Sequence, residues 1–274
     1  MKKTIADFLD KKQRQQKITA LTCYDYPHAV LQEQAGIDII FVGDSVGTNI
    51  LGYASETEVT LADIVHHLKA VRRGAQNSFI LADLPYGSYP EPAKALASSR
   101  ILMEAGADIV KLEGVELAIV ATLVAQNIPV CGHIGLQPQT HQKKVVQGKS
   151  FVQARELLEG AIALEKAGIV MLVLELVPEP VGRVITENLT IPTIGIGAGR
   201  FTDGQVLVVN DILGVSDRQL KLAKRYQNYR DLTYAAIQQY QAEVEQQQFP
   251  AVENTSSMPA EELSQFLEWL TNRG

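Results

Sequence analysis

The sequence predicts an α/β protein with the fold of a (β/α)₈ barrel, also called a TIM barrel. Short aliphatic or β-branched runs alternate with longer amphipathic stretches rich in Ala, Leu, Glu, Lys and Arg. Such apolar runs are typical of strands buried on both faces, and strands separated by helices must run parallel to pair in one sheet. Eight runs fall within roughly the first 215 residues, which suits a barrel of about 250 residues. A doubly wound open sheet is the alternative, because a strand count does not prove closure.

Helices are predicted between the strands, and glycines mark where several of them end. Amphipathic stretches separate most of the strands and predict helices. They include LADIVHHLKAVRRG, EPAKALASSRILMEAG, VELAIVATLVAQN and VQARELLEGAIALEKAG. In the repeated segments AGIDII, AGADIV and AGIVML, Gly36, Gly106 and Gly168 are each expected to end a helix in a left-handed cap before the next strand. The predicted strands are KITALTCY, IDIIFVG, FILADL, ADIVKLEG, IPVCGHIG, IVMLVLELV, IPTIGIG and QVLVVNDI.

The alternating pattern stops after Leu213. Two segments of high helix propensity follow, DLTYAAIQQYQAEVEQQQFP and AEELSQFLEWLTNRG, separated by the turn-rich AVENTSSMP. We therefore predict one domain over 1–274, with 215–274 as a C-terminal helical extension. These helices are expected to cover the barrel or to pack against a neighbouring subunit.

Composition limits the possible function. The 274 residues are 46% hydrophobic and 20% charged, as in soluble globular proteins, and the net charge of −6 with no basic block disfavours nucleic-acid binding. A small-molecule partner is favoured. Cys23 and Cys131 lie in apolar segments, which indicates buried thiols. Asp7 and Asp10 interrupt any signal-peptide core and no apolar run reaches membrane-spanning length, so we expect a cytoplasmic protein without a membrane partner.

Polar residues occur where the predicted strands end. In a barrel the active site lies at the carboxyl ends of the strands, so one mouth would receive four carboxylates, a lysine, a histidine and a serine. These residues are Asp44 and Ser45 after strand two, Asp83 after strand three, Lys111 and Glu113 ending strand four, His133 after strand five and Glu175 after strand six.

The acidic residues of strands two to four predict a metal site. Neighbouring carboxylates repel and raise each other's pKa unless cations share the site, and Mg²⁺ is commonly held by one or two carboxylates with positions left for water and substrate. Asp44, Asp83 and Glu113 are the candidate ligands. Each also has a structural explanation: Asp44 could cap a turn, Asp83 could begin an Asx-turn, and Glu113 could pair with Lys111. His133 could equally be a hydrogen-bonded core histidine.

Across about residues 4–213 the sequence resembles the ketopantoate hydroxymethyltransferase family. The resemblance departs at 137–150, where the family usually has a glycine-rich extension before its VQG element and QPQTHQKKVVQGKS is shorter. The segments that carry the resemblance, in this order and spacing, are TCYDYPHA, VGDSVG, EVTLADIVHHLKAVRRGA, LADLPYGSY, AGADIVKLEG, IPVCGHIGLQPQ, LVLELVP, IPTIGIGAG and DGQVLVVNDILG.

This resemblance implies a barrel of the phosphoenolpyruvate/pyruvate-binding type and a defined reaction. The family transfers a hydroxymethyl group from 5,10-methylenetetrahydrofolate to 3-methyl-2-oxobutanoate (α-ketoisovalerate), making 2-dehydropantoate (ketopantoate) in pantothenate biosynthesis. It also implies one Mg²⁺ per subunit and a homo-oligomer, commonly a homodecamer.

The resemblance also implies a role for each residue. Asp44 and Asp83 would hold Mg²⁺, with Glu113 as a further ligand, direct or through water. Asp44 would thereby also face the keto acid, which Ser45, Asp83 and Lys111 would contact. Glu175 would accept the proton, and His133 is a further candidate for substrate binding.

Two rival functions follow from the same residues. A Mg²⁺-dependent C–C lyase or mutase of the isocitrate lyase/phosphoenolpyruvate mutase superfamily would also bind a keto acid at a carboxylate-held metal. The lyases usually carry the lid motif KKCGH, which the sequence lacks. A catalytically retired barrel that serves as an oligomeric scaffold is the non-enzymatic alternative, and the intact set of acids and Lys111 argues against it.

Overall fold

The computed structural model describes residues 2–141, 143–216 and 220–273. The chain forms two compact units, one extending to Tyr226 and the other beginning at Gln227. The helical extension predicted from 215 onward thus begins within the first unit, and its residues 217–219 lie outside the described residues.

Eight parallel strands close into a barrel in chain order. Each strand pairs with the next, and β1 also pairs with β8 through a register that sets Ala20 opposite Val206. The predicted barrel is confirmed, and the open-sheet alternative is wrong because the first and last strands are hydrogen-bonded. The strands are β1 (Ile18–Thr22), β2 (Ile39–Val42), β3 (Phe79–Asp83), β4 (Ile109–Glu113), β5 (Val130–Gly135), β6 (Met171–Glu175), β7 (Thr193–Ile196) and β8 (Gly204–Leu207).

Helices follow most of the strands, as predicted. Gly36, Gly106 and Gly168 end α2, α4 and α6 with φ values of 77°, 113° and 104°, which confirms the three left-handed caps. A π-helical turn (Gly47–Leu51) and a 3₁₀ turn (Glu56–Glu58) follow β2. The helices of this unit are α1 (Ile5–Gln13), α2 (Tyr26–Ala35), α3 (Leu61–Gly74), α4 (Pro92–Ala105), α5 (Leu117–Ala125), α6 (Phe151–Ala167), α7 (Glu179–Asn188) and α8 (Val209–Leu213).

The predicted eighth strand, QVLVVNDI, is half wrong. The strand ends at Leu207, and the VNDI of that segment begins the short helix α8. The Val209 backbone N–H donates to Thr22 Oγ1, which satisfies a free donor of the first helical turn, and Gly214 ends the helix in the left-handed region. The β-branched residues in this segment favoured a strand, and the contact with β1 overrides that local preference.

Helix α1 closes the amino-terminal end of the barrel. Phe8 is fully buried and packs with the inward-facing residues of the strands, with its ring edge-on to Phe79 at 5.0 Å between centroids. Two lysines of α1 form ion pairs with the aspartates that directly precede β2 and β8. Lys11 Nζ lies 2.6 Å from Asp38 Oδ2, and Lys12 Nζ lies 2.7 Å from Asp203 Oδ2.

The second compact unit consists of two helices joined by an irregular segment. They are α9 (Tyr229–Glu245) and α10 (Ala260–Thr271), with a 3₁₀ turn at Val252–Asn254 between them. Both helices predicted for this part of the sequence are therefore confirmed. No helix within the described ranges is long and apolar enough to span a membrane.

Candidate active site

A cavity of about 1960 Å³ opens at the carboxyl ends of the strands. All seven residues predicted from the strand ends line it, so the topology brings them to one place. They are Asp44, Ser45, Asp83, Lys111, Glu113, His133 and Glu175.

The segment after β2 lies directly against the end of β3. Asp44 and Asp83 are both buried, and the Asp44 backbone N–H donates to Asp83 Oδ2 over 2.9 Å. A Cβ atom at Gly43 would lie 3.2 Å from both Asp83 Oδ2 and Ser45 Oγ. Glycine at position 43 therefore permits this close approach. The Asp83 carboxylate accepts a hydrogen bond from the backbone that follows the neighbouring strand β2, so its role is not limited to an Asx-turn after β3.

Lys111 forms a buried ion pair with Asp83, its direct partner in the β3–β4 register. Both side chains are almost wholly buried, and Lys111 Nζ also lies 5.3 Å from the centroid of the Phe41 ring. Burial opposes the charge on Lys111, but the surrounding carboxylates of Asp83 and Asp44 prevail and raise its pKa, so it is an ammonium ion. The explanation that Lys111 pairs with Glu113 is wrong, because Asp83 lies opposite Lys111 on the adjacent strand.

His133 lies between two carboxylates. Its Nδ1 is 3.4 Å from Glu113 Oε1 and its Nε2 is 3.3 Å from Glu175 Oε2, and the imidazole is buried. Burial and the charge of Lys111 disfavour protonation, but the two carboxylates prevail and raise the pKa of His133 to about 9. This raised pKa favours the protonated imidazole, and His133 lines the cavity between the acid of β4 and the acid of β6.

The acids of β2 and β3 suit a hard cation. Burial, reinforced by the negative charge of Asp83, raises the pKa of Asp44 well above its usual range. Within residues 2–141, 143–216 and 220–273, no group of three or more His, Cys, Asp or Glu side chains is spaced to hold one ion. Two adjacent carboxylates, those of Asp44 and Asp83, could hold Mg²⁺ with its other positions left to water and substrate. Glu113 is engaged by His133 and by the Gln139 backbone.

Three site residues escaped the sequence analysis because they carry no charge. The Tyr24 hydroxyl lies 2.8 Å from Ser45 Oγ, and Tyr24 is buried. Gln139 donates a side-chain hydrogen bond to Asp44, and its carbonyl oxygen accepts one from Tyr89. Tyr24 is the last residue of the first predicted strand and Gln139 closely follows the fifth, so a search of the strand ends for every type of polar residue would have found both.

Comparison with known proteins gives a consistent result. The sequence profile described as ketopantoate hydroxymethyltransferase matches residues 2–252. A 3-methyl-2-oxobutanoate hydroxymethyltransferase from Desulfotalea psychrophila is 45% identical over 263 residues, which cover 93% of this chain and 94% of the relative. The match therefore extends over nearly the whole of both chains.

Solved structures of low sequence identity share the fold. A phosphonopyruvate hydrolase crystallised with oxalate and Mg²⁺ superposes with a TM-score of 0.62 at 11% identity, covering 100% of this chain and 97% of the other. A 2,3-dimethylmalate lyase, a member of the PEP mutase/isocitrate lyase superfamily, gives 0.56 at 13% identity and covers 100% of both chains. These similarities confirm the type of barrel expected from the sequence.

Proposed function

Because this chain belongs to the ketopantoate hydroxymethyltransferase family, we propose that it transfers a hydroxymethyl group from 5,10-methylenetetrahydrofolate to 3-methyl-2-oxobutanoate, giving 2-dehydropantoate for pantothenate biosynthesis. The observation that carries this proposal is that charged groups from several strand ends line one cavity. Lys111, Asp83 and Asp44 form a compact charged cluster on β2 to β4, and Glu175 reaches the same cavity from β6. A 2-keto acid bound at the cluster would have its C3 carbon within the space shared with Glu175.

The proposed roles follow from the positions of these groups. The Lys111 ammonium would stabilise the negative charge that develops on the keto oxygen. Ser45, Asp83 and His133 would contact the keto acid. Glu175 would accept the proton from C3 of the keto acid, because it is the least buried carboxylate of the set, with 18% of its side chain exposed. The His133 imidazolium beside it would hold the Glu175 carboxylate in place.

The transfer step balances with one molecule of water. The C3–H bond breaks and its proton goes to Glu175, and the electron pair left on C3 forms a bond to the methylene carbon of the folate. The bonds from that carbon to the two folate nitrogens break, and water supplies the oxygen of the new hydroxyl group. Each nitrogen takes up one proton, one returned by Glu175 and the other released by the water. Tetrahydrofolate and 2-dehydropantoate are the products.

Asp44 and Asp83 would hold Mg²⁺, with Glu113 as a further ligand, directly or through water. When bound, Mg²⁺ would act as a Lewis acid toward a 2-keto acid and lower the barrier to proton loss from C3. One Mg²⁺ per subunit is proposed, on the basis of the two adjacent carboxylates.

Hydrogen exchange tests this function. With Mg²⁺ in deuterated water, the protein is expected to exchange the C3 proton of 3-methyl-2-oxobutanoate, as followed by proton NMR. A lyase or mutase acting on other keto acids, and a retired scaffold, would leave this proton in place. Addition of 5,10-methylenetetrahydrofolate should then give 2-dehydropantoate. Absence of exchange with folded protein and Mg²⁺ would overturn the proposal.

A homo-oligomer, specifically a homodecamer, and a cytoplasmic location complete the proposal. Neither a nucleic acid nor a membrane is a proposed partner. Size-exclusion chromatography with light scattering measures the subunit number directly, and a stable monomer would contradict the proposed assembly.

A further inference from the structure

The chain after β5 folds inward over the mouth of the barrel. Gly135 has a φ of 96°, and a Cβ atom there would lie 2.2 Å from the Glu175 carbonyl oxygen, so only glycine allows β5 to end so close to β6. The backbone N–H groups of Thr140 and His141 both donate to the Gln137 carbonyl, which closes a turn. This turn places Gln139 inside the site, where only 3% of the residue is exposed.

Every polar group of the Gln139 side chain is used. Nε2 donates to Asp44 Oδ2 over 2.8 Å and to the Leu84 carbonyl over 3.1 Å, and Oε1 accepts from the Tyr89 hydroxyl. A carboxamide has two N–H donors, and both have an acceptor here. Rotating the amide by half a turn would place Oε1 against the oxygens of Asp44 and Leu84. The Tyr89 hydroxyl and these two acceptors therefore fix a single orientation of the Gln139 amide.

The backbone of the same residue holds a second acid. The Gln139 N–H donates to Glu113 Oε2 over 3.1 Å, while Glu113 Oε1 faces His133. One buried residue therefore contacts the carboxylates at the ends of β2 and β4 and the backbone after β3. Rotation of the Asp44 carboxylate about its χ2 bond would break the contact with Gln139 at Oδ2, so the contact restrains which oxygen faces the cavity.

We propose that Gln139 is a positioning residue that orients the carboxylates of Asp44 and Glu113 for binding of Mg²⁺ and the keto acid. This inference rests on the proposed function, because it takes Asp44 as a ligand of the metal. Partners of metal ligands are typically worth 10–100-fold in metal affinity or activity when they are removed. Gln139 is a hydrogen-bond partner of two proposed ligands, Asp44 through its side chain and Glu113 through its backbone.

Three variants test the proposal. Gln139→Met keeps the volume but removes both donors, and Gln139→Glu keeps an acceptor for Tyr89 but sets a negative oxygen against Asp44. The matched control is Gln137→Met, two residues away on the same turn, where the side chain is half-buried and does not line the cavity. Mg²⁺ binding is measured by calorimetry in the presence of 3-methyl-2-oxobutanoate, and folding is followed by thermal denaturation.

We expect folded Gln139→Met to bind Mg²⁺ roughly 10–100-fold more weakly than the unsubstituted protein, and Gln139→Glu to bind more weakly still, with Gln137→Met unchanged. Affinity in Gln139→Met that is unchanged or higher would overturn the positioning role and leave the proposed function standing. Failure of the unsubstituted protein to bind Mg²⁺ with the keto acid would overturn both.

A milder change covers the case in which neither Gln139 variant folds. Tyr89→Phe leaves Gln139 intact and removes the hydroxyl that fixes its amide, together with a long contact of 3.4 Å from the Glu113 backbone N–H to the same hydroxyl. A roughly 2–10-fold loss of Mg²⁺ affinity is expected, the equivalent of one neutral hydrogen bond. Unchanged affinity in folded Tyr89→Phe, together with unfolded Gln139 variants, would show that Gln139 serves folding alone and would overturn the proposal.

Discussion

The Asp44 backbone N–H donates to the Asp83 carboxylate over 2.9 Å, so the side chain of one strand end fixes the backbone of the next. Asp83 also neutralises Lys111, and both side chains of that ion pair are almost wholly buried. Asp83 thus has a structural role that is separable from its proposed contact with Mg²⁺.

Substitution of Asp83 tests this separation. Asp83→Asn should weaken Mg²⁺ and keto-acid binding and lower the free energy of unfolding by about 3–5 kcal/mol, because it leaves Lys111 buried without its partner. The double variant Asp83→Asn, Lys111→Met should recover much of that stability without recovering Mg²⁺ binding. Urea denaturation and calorimetry measure the two quantities. Tight Mg²⁺ binding by Asp83→Asn would remove Asp83 from the ligand set.

Glu175→Gln should separate binding from proton transfer. Glutamine has the size of glutamate but cannot accept a proton at neutral pH, so 3-methyl-2-oxobutanoate should still bind with Mg²⁺ while exchange of its C3 proton falls by roughly 10²–10⁴-fold. Proton NMR in deuterated water measures the exchange, and thermal denaturation confirms that the variant is folded. Exchange at the original rate would exclude Glu175 as the base.

Tyr24→Phe should weaken keto-acid binding through Ser45. The two hydroxyls lie 2.8 Å apart, and loss of one neutral hydrogen bond of about 0.5–1.5 kcal/mol would leave Ser45 free to rotate away from the substrate. We expect KM for the keto acid to rise roughly 2–10-fold with little change in kcat. Tyr26→Phe is the control, because Tyr26 is exposed. A KM equal to that of the control would show that Ser45 does not need Tyr24.

Asp38 should give the closed end of the barrel a pH-dependent stability. Burial disfavours its ionised form, but Lys11 and Lys3 prevail and lower its pKa below the usual value of 3.8. A carboxyl whose pKa is lower in the folded state stabilises the protein above the unfolded pKa, and that stabilisation is lost as pH falls through the folded pKa.

Asp38→Asn should therefore lower the free energy of unfolding by about 1–3 kcal/mol at neutral pH, and the difference from the unsubstituted protein should shrink below about pH 4. Urea denaturation across this range measures it. Asp10→Asn is the control, with 48% of its side chain exposed and an expected change within about 0.5 kcal/mol. A difference that persists undiminished in acid would contradict the ion-pair explanation.

The two thiols should be unreactive in the native protein. Cys23 and Cys131 are free and buried, and burial raises the pKa of each to about 12. Because the thiolate is the nucleophile, iodoacetamide should modify neither cysteine at about pH 8 and should modify both in guanidinium. Mass spectrometry counts the additions. Rapid native labelling of either residue would contradict its burial.

Sequence patterns predicted the barrel and the clustering of charged residues at its mouth, because the burial of strands and their alternation with helices can each be recognised within a short segment. Asp44 and Glu175 could be placed at the mouth simply because each follows an apolar run. The contacts of these residues could not be predicted in the same way. Lys111 faces Asp83 and not Glu113 because of the register between β3 and β4, which no single segment of sequence encodes.

The same limit explains Gln139 and the end of β8. Gln139 reaches Asp44 across a separation of 95 residues, through a turn whose path depends on Gly135 and on the backbone of β6. The segment after Leu207 has the composition of a strand, and it becomes helical where Val209 meets Thr22 of β1. Both features depend on parts of the fold that are distant in sequence.

The closure of the amino-terminal end by α1 has a kinetic consequence. Among the described residues, Phe8 fills the floor of the barrel, and Asp83 lines the cavity at the opposite end. If the keto acid and the folate proposed as co-substrates stack along the barrel axis, the small acid must bind before the bulkier folate, and the products must leave in the reverse sequence. Steady-state patterns of product inhibition would then be those of a compulsory-order mechanism, and a random-order pattern would mean that the two ligands lie side by side.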